Sequence, residues 1–399
     1  MRGRGDGGEP SSGAQGDDAG ARSGRALVTI TSTGDVLCVL ACGPVSMEIR
    51  SSDATAAEWL VEGLTPCFAL APRGADWRVC LSSSSESYAA IAAQRPLDAE
   101  PRACFALDQE VLAFPAWPIA GGAVVADAER ACFLRVTPGR VDLFGDPRTR
   151  RWRFTSMWAC QEIAATRLRR TELDLHAASV ETAGRAVLIV GPKGAGKTTL
   201  SLHLLRSGQW RMMANDRAFA GPVAAAIMAR GLPTAVKVRP STLAEFPELR
   251  RGLPSVERPY LHTLDELAKA ETGDAASEAT DFALSPAQLA HQLGVERCGP
   301  AALGAIVFPE VRADRTGWTA ERLDPEAIVH LLLGNLYGGS RERRGSTVFE
   351  DLDGGRSFPS PAVADAIAGS APGYRVILGR GTYADPRFGE RFRDVVVSA

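Results

Sequence analysis

Gly191-Pro192-Lys193-Gly194-Ala195-Gly196-Lys197-Thr198 satisfies the pattern G-x-x-x-x-G-K-[ST] without a gap. Each residue type in that run has a task in phosphate chemistry. The glycines let successive backbone N–H groups converge on phosphate oxygens, the lysine reaches the β- and γ-phosphates, and the hydroxyl after it suits Mg²⁺. Gly191 through Thr198, together with Thr199, form the expected nucleotide-binding segment. ATP and Mg²⁺ are the cofactors it implies. The pattern names a phosphate site and leaves the reaction open.

A reaction at the γ-phosphate also needs an acid. Asn215-Asp216 ends the strand that follows the helix after the loop. There Asp216 can hold Mg²⁺ with Thr198 or orient a hydroxyl. The plain alternative is that it caps a turn or pairs with Arg217. A second acid, Glu310, ends the later apolar run Ala305–Phe308, but Pro309 stands before it. His176 is either a functional neighbour of the acid or a buried, hydrogen-bonded histidine on a strand edge. His203, on the helix after the loop, reads as a packed or surface residue. Positive charge for a transferring phosphoryl group has candidates in Lys237 and Arg239, placed on an expected core strand. Arg250 with Arg251, and Arg341, Arg343 and Arg344, are further ones.

His176-Ala177-Ala178-Ser179, the strand, the loop, the Ser207-Gly208 turn and Asn215-Asp216-Arg217 together resemble HPr kinase/phosphorylase and its related kinases. That fold is itself similar to ATP-type phosphoenolpyruvate carboxykinase. The resemblance is specific over residues 170–220 and looser to about residue 340. It implies an α/β fold with a P-loop kinase core of the HPr kinase/PEP carboxykinase type, preceded by a β-rich α+β N-terminal domain. It further implies ATP- and Mg²⁺-dependent transfer of the γ-phosphate to a hydroxyl acceptor on a protein, a peptide or a small metabolite. Catalytic roles fall on Asp216, His176 and Lys197, and metal roles on Thr198 and Asp216. Relatives of the family often assemble as oligomers, so a homo-oligomer is among the implied states. Asn215 departs from the pattern, because the family places its first acid there and Asn is no base at neutral pH. A non-catalytic nucleotide-binding regulatory or scaffold protein of a biosynthetic cluster is therefore the alternative. A carboxykinase-type enzyme is the weaker third reading, because no set of metal-binding Lys/His and substrate Arg residues is visible.

Positioning these residues requires a buried strand at Ala186–Val190 and a helix carrying Leu200, Leu202, Leu204 and Leu205 up to Gly208. Arg211–Ala214, Pro222–Met228, Thr234–Val238, Ala302–Phe308 and Tyr374–Leu378 are the other expected strands of this part. Helices are expected at Ser285–Leu293 and Asp324–Leu333. Ahead of the loop, Phe154–Arg170 has Met157, Trp158, Ile163, Ala164 and Leu168 on one face. Its terminal Arg167, Arg169 and Arg170 read as solvated charges suited to the helix dipole. Residues 26–150 have the short apolar runs of strands, at Ala26–Thr31, Val36–Ala41, Phe68–Leu70, Trp77–Leu81, Ala123–Val125, Cys132–Val136 and Val141–Phe144, with a helix at Ser51–Leu64. The expected organisation is a disordered leader over 1–25, a β-rich domain over 26–150, and the P-loop domain over 151–399. Glu271–Thr280 and Gly338–Thr347 read as loops.

With 45 basic and 47 acidic residues the net charge is −2, which gives no general attraction to nucleic acid or membrane. No apolar run approaches the roughly 20 residues of a membrane-spanning helix. The N-terminus has no apolar core of a secretory signal, and the eight cysteines form no zinc pattern. A cytoplasmic protein with buried free thiols is the expectation.

Overall fold

Along Val45–Ser51 and Trp77–Ser82 every second side chain is buried, the period of a strand with one face on a core. In the computed structural model of the protein both runs belong to the first of two large mixed sheets. Residues 29–30, 36–72, 74–107, 110–238, 240–250, 282–338, 346–355 and 361–397 are described. The first sheet comprises β1 (Thr29–Ile30), β2 (Val36–Cys42), β3 (Val45–Ser51), β4 (Ala69–Leu70), β5 (Trp77–Ser82), β6 (Glu100–Leu107), β7 (Glu110–Ile119), β8 (Gly122–Asp127), β9 (Cys132–Thr137) and β10 (Arg140–Gly145). Their order is β1-β2-β3-β5-β10-β9-β8-β7-β6, with β4 against β2. Helices α1 (Ala54–Leu64) and α2 (Ser85–Ala92) connect its strands, and α3 (Trp152–Leu168) follows it.

The second sheet opens with β11 (Leu173–Thr182) and β12 (Arg185–Val190), continues after α4 (Lys197–Arg206), and takes up β13 (Arg211–Ala214), β14 (Arg217–Val223) and β15 (Ala226–Leu232). A separate ribbon of β16 (Val236–Val238) and β17 (Phe282–Leu284) follows, with α5 (Pro240–Glu245) between them and α6 (Pro286–Leu293) after them. The sheet resumes with β18 (Ala301–Thr316) and β19 (Trp318–Arg322). Then come α7 (Pro325–Leu333), α8 (Val348–Leu352), α9 (Pro361–Ser370), β20 (Gly373–Arg380) and α10 (Phe388–Val396). Its order is β12-β11-β14-β15-β18-β20-β19, and β12 also pairs with β18, so five strands close on themselves. The architecture is mixed α/β.

Two cores sandwich this sheet. Ala178, Val180, Val187, Ile189 and Val307 face α4, α6 and α10 through Leu200, Leu204, Leu289 and Phe392. Ala177, Leu188, Val190, Ile306 and Phe308 face α7 and α9 through Ile328, Leu332 and Ile367. The first sheet shares its own core with α1 and α3, and Phe219, Leu232 and Phe349 reach into it from later in the chain.

Local signals set several boundaries. Ser285 caps α6 in a capping box with Gln288, and Asp324 caps α7 ahead of Pro325. The eight cysteines are free, and all but Cys80 are buried. Other expectations change. Pro222–Met228 is the turn region of the β14/β15 hairpin, in which Val223 pairs with Ala226 and Ala224 takes a φ of 52°. The strand expected at Thr234–Val238 is shorter and pairs with β17, outside the large sheets. β3, β6, β7 and α2 add elements that apolar periodicity did not mark, because β6 and β7 mix Pro, Glu and Arg into their runs. The leader, the Glu271–Thr280 loop, Arg239, Arg251, Arg341, Arg343 and Arg344 lie outside the described residues, as do the side chains of Lys237 and Arg250. Among the described residues no helix is long and apolar enough to cross a membrane.

Candidate functional site

β12 ends at Val190, five of its six residues are buried, and the glycine-rich loop leaves directly from its carboxyl end. Gly194 and Gly196 have φ of 88° and 96°, the left-handed region that costs other L-residues about 1–2 kcal/mol. A Cβ at Gly196 would also come within 2.8 Å of Val311 Cγ2. α4 then starts at Lys197 with no side-chain cap, so the first-turn amides of Lys197, Thr198 and Thr199 have no capping acceptor from the helix. The Lys197 ammonium is buried and donates to the carbonyl oxygens of Gly191 at 2.7 Å and Pro192 at 3.2 Å. Thr198 and Thr199 are half-buried on the first turn, while Pro192, Lys193 and Gly194 are exposed.

β11 lies between β12 and the β13/β14 segment. Ala177 pairs with Val190, so His176 stands level with Gly191, and on its other side His176 pairs with Arg217. Two strand spacings, about 10 Å, separate the loop's first glycine from the Asp216-Arg217 backbone. Between β13 and β14 the ladder breaks at Asn215 and Asp216, and only the Asp216 carbonyl stays in register, accepting from the Ala177 N–H at 3.0 Å. The break turns Asp216 toward β11, where Oδ1 lies 3.0 Å from His176 Nε2. His176 is buried, and 32% of the Asp216 side chain is exposed. His176 is thus central in the sheet and not on an edge, and Asp216 does not pair with Arg217.

Strand alternation settles which face these groups occupy. On β11, Ala178 and Val180 face α4 whereas Leu175 and Ala177 face the other way, so His176 shares α4's face. On β18, Val307 faces α4 and Phe308 does not, and Val311 reaches the loop glycine. Glu310 therefore projects from the opposite face, where it accepts from Arg312 at 3.1 Å. Pro309 does not end the strand, which runs on to Thr316. His203 stacks on Tyr383 at 3.6 Å and bonds Glu245 at 2.6 Å, far along α4 from the loop.

Behind Asp216 lies a buried charge cluster. Arg217 donates to both Asp174 oxygens, at 3.0 and 2.7 Å, and lies 4.5 Å over the Tyr337 ring. Arg169 donates to Asp174 at 2.8 Å, Glu162 at 2.9 Å and Glu350 at 3.0 Å. Burial alone would drive both guanidiniums down, but the surrounding carboxylates outweigh it and push both up. Arg169 is only 2% exposed, so it is an internal ion and not a solvated end of α3. Arg167 and Arg170, which are partly exposed, both reach Asp353. Among the described residues the cluster joins Glu162, Asp174 and Glu350 to Arg169 and Arg217, and it ties α3 to β11, β14 and α8.

A pocket of about 40 Å³ opens beside Asp216. Phe105 of β6 and Trp158 and Gln161 of α3 make one wall, and Asp216, Thr234 and Tyr337 the other. Asn215 faces away from the histidine, its Oδ1 accepting from the Thr234 hydroxyl at 3.0 Å. A larger hollow of about 490 Å³ lies at the far end of β11 and β12, among Glu181, Gly184, Trp210 and Arg211, away from the loop. Phe105, Trp158, Asp174 and Tyr337 escaped sequence reasoning because none belongs to a motif. The Leu-Asp-Leu-His run, a carboxylate inside an apolar strand, is the signal that could have found Asp174.

Gly194, Gly196, Lys197 and the uncapped start of α4 bring backbone N–H groups and an ammonium to one place, the donor set that a polyanion takes, and the oxygen-bearing side chains of Thr198 and Asp216 are of the type Mg²⁺ takes. No family model and no curated protein matches this chain.

Proposed function

We propose that the protein is an ATP-dependent kinase with a P-loop core of the HPr kinase/PEP carboxykinase type, transferring a γ-phosphate to a hydroxyl acceptor. The observation that carries this reading is the His176–Asp216 hydrogen bond on the face of the sheet from which α4 points its N-terminus, level with Gly191. Binding at the loop would exchange the carbonyl partners of Lys197 for phosphate oxygens. The acceptor oxygen forms a bond to the γ-phosphorus, the bond from that phosphorus to the β–γ bridging oxygen breaks, and ADP leaves with the electron pair. Asp216 takes the hydroxyl proton, and His176 fixes the carboxylate's orientation. Mg²⁺, for which Thr198 and Asp216 are the fitting ligands, supplies neutralisation of phosphate charge when bound.

Phosphoryl transfer has a loose transition state, so one carboxylate is enough base without an acid at position 215. The deciding experiment is Lys197→Ala, assayed with a fluorescent ATP analogue and with γ-labelled ATP. At least about a tenfold loss of affinity is expected, with loss of transfer. Unchanged binding and transfer would overturn the reading.

A second reading, a nucleotide-binding regulatory or scaffold protein, is favoured by one observation: position 215 carries no carboxylate, and the Asn215 carboxamide oxygen there accepts from the Thr234 hydroxyl. Labelled phosphate transferred to any acceptor, and lost in Asp216→Asn, would rule that reading out.

A further inference from the structure

We propose that Asn215 is a positioning residue: its hydrogen bond to Thr234 holds Asp216 against His176, and the carboxamide is the group that position 215 needs. The inference rests on the kinase reading and adds to it how the acid is held. Its basis lies outside the loop, in the turn after β15 and in α3.

Asn215 and Asp216 stand between β13 and β14 and belong to neither strand. A break of this kind has no continuous ladder to fix its direction, so its polar groups must find other partners. The Asp216 carbonyl accepts from the Ala177 N–H at 3.0 Å, and Asp216 Oδ1 lies 3.0 Å from His176 Nε2. Both of these bonds reach β11. Asn215 Oδ1 reaches the other way and accepts from the Thr234 hydroxyl at 3.0 Å. Because 32% of the Asp216 side chain is exposed, releasing the break at Asn215 lets the carboxylate turn out to water. Water solvates a carboxylate about as well as one imidazole does, so the bond to His176 survives only where the backbone is held.

Thr234 is itself held. Its N–H donates back to the Leu232 carbonyl at 2.9 Å, closing a tight turn around Pro233, whose ring fixes φ. The Pro233 carbonyl accepts from Gln161 Nε2 at 2.6 Å. One path therefore runs from α3 through this turn to the residue before the acid. Gln161, Thr234 and Asn215 are only 3%, 6% and 7% exposed. At that depth a neutral, hydrogen-bonded amide is far cheaper to keep than a second carboxylate beside Asp216.

The test compares Asn215→Ala, Thr234→Val and Thr234→Ser with the unaltered protein. Three measurements are made: transfer of labelled phosphate from ATP to water and to glycerol, binding of the fluorescent ATP analogue, and the NMR resonance of the His176 N–H bonded to Asp216. Loss of that resonance in His176→Gln assigns it. Asn215→Ala and Thr234→Val should each lower kcat at least about tenfold, within the scale on which misplacing a reacting group costs rate. The resonance should be lost in both, while the analogue's Kd stays within about twofold of normal. Thr234→Ser, which keeps the hydroxyl, should hold kcat within about threefold of normal. The double variant Asn215→Ala/Thr234→Val should fall no further than either alone, because both changes remove the same bond. Asn215→Asp should run no faster than the unaltered protein, whereas restoring a missing base would gain about 10²–10⁴-fold. Should one single variant not fold, the other carries the same expectation. A gain in Asn215→Asp, additive losses in the double variant, an equal loss of analogue binding, or an unmoved resonance would overturn the assignment and leave the kinase reading standing. If the unaltered protein binds the analogue and transfers phosphate to neither acceptor, the kinase reading falls, and the resonance alone decides whether Asn215 holds the acid.

Discussion

Arg217, the residue after Asp216, grips both oxygens of Asp174 across the β11/β14 pair, at 3.0 and 2.7 Å. The acid offered to the site is thus chained to the most buried charge cluster described in the protein. Removing one partner leaves an uncompensated charge in a place where Arg217 is 1% and Asp174 4% exposed.

Arg217→Ala should therefore destabilise the fold by about 3–5 kcal/mol. Urea denaturation followed by tryptophan fluorescence measures it. A loss under about 1 kcal/mol would mean that water enters the cluster and screens it.

Gly196 tests the loop without touching a charged group. At φ 96° and with Val311 2.8 Å from where a Cβ would sit, Gly196→Ala must shift the loop or Val311. On the proposed reading the fluorescent nucleotide's Kd rises at least about tenfold, because amides that converge on phosphate tolerate little displacement. An unchanged Kd would show that the loop conformation is not what binds.

The dyad separates chemistry from binding. Asp216→Asn should lower phosphate transfer by about 10²–10⁴-fold, the usual weight of a positioned base, with nucleotide affinity little altered. His176→Gln, which keeps a donor near the acid, should fall less. Equal loss in both would assign the two residues a single structural role.

Acid stability has a contribution from Asp142. Burial alone would raise its carboxyl, but hydrogen bonds from Arg140 at 2.8 Å and Arg135 at 3.0 Å outweigh it and hold the carboxyl below its ordinary value. A depressed folded value means stability that is present above the ordinary aspartate range and lost as pH falls through the folded value. Both arginines are more than two-fifths exposed, so screening limits the contribution to about 1 kcal/mol. The stability gap between the protein and Asp142→Asn should close as denaturation is repeated from pH 7 down to about pH 3. A gap constant over that range would contradict the pairing.

The thiols should be inert. Burial pushes Cys42, Cys67 and Cys298 up to about 12 and Cys38 to about 11. Iodoacetamide at pH 8 should leave these four unlabelled in the native protein and label them after denaturation, as mass spectrometry would read. Rapid native labelling would show that the core around the labelled thiol opens, the first sheet's for Cys38, Cys42 and Cys67 and the one under α7 and α9 for Cys298.

The sequence alone determined the features that depend on neighbours a few residues apart. The apolar run before the loop, the glycines at 194 and 196, the Ser285–Gln288 capping box and the strand at Arg211–Ala214 all follow from periodicity, left-handed backbone and local hydrogen bonds. Only the tertiary structure decided the partners. Asp216 meets His176 across 40 residues, and Arg169 meets Glu350 across 181. The same arginine at the end of α3 is a solvated charge or a buried ion depending on what packs over it. Which strands become neighbours is a property of the whole core. So is the wall that Phe105 adds beside Asp216, because β6 reaches it through the packing of α3, which no short stretch of sequence encodes.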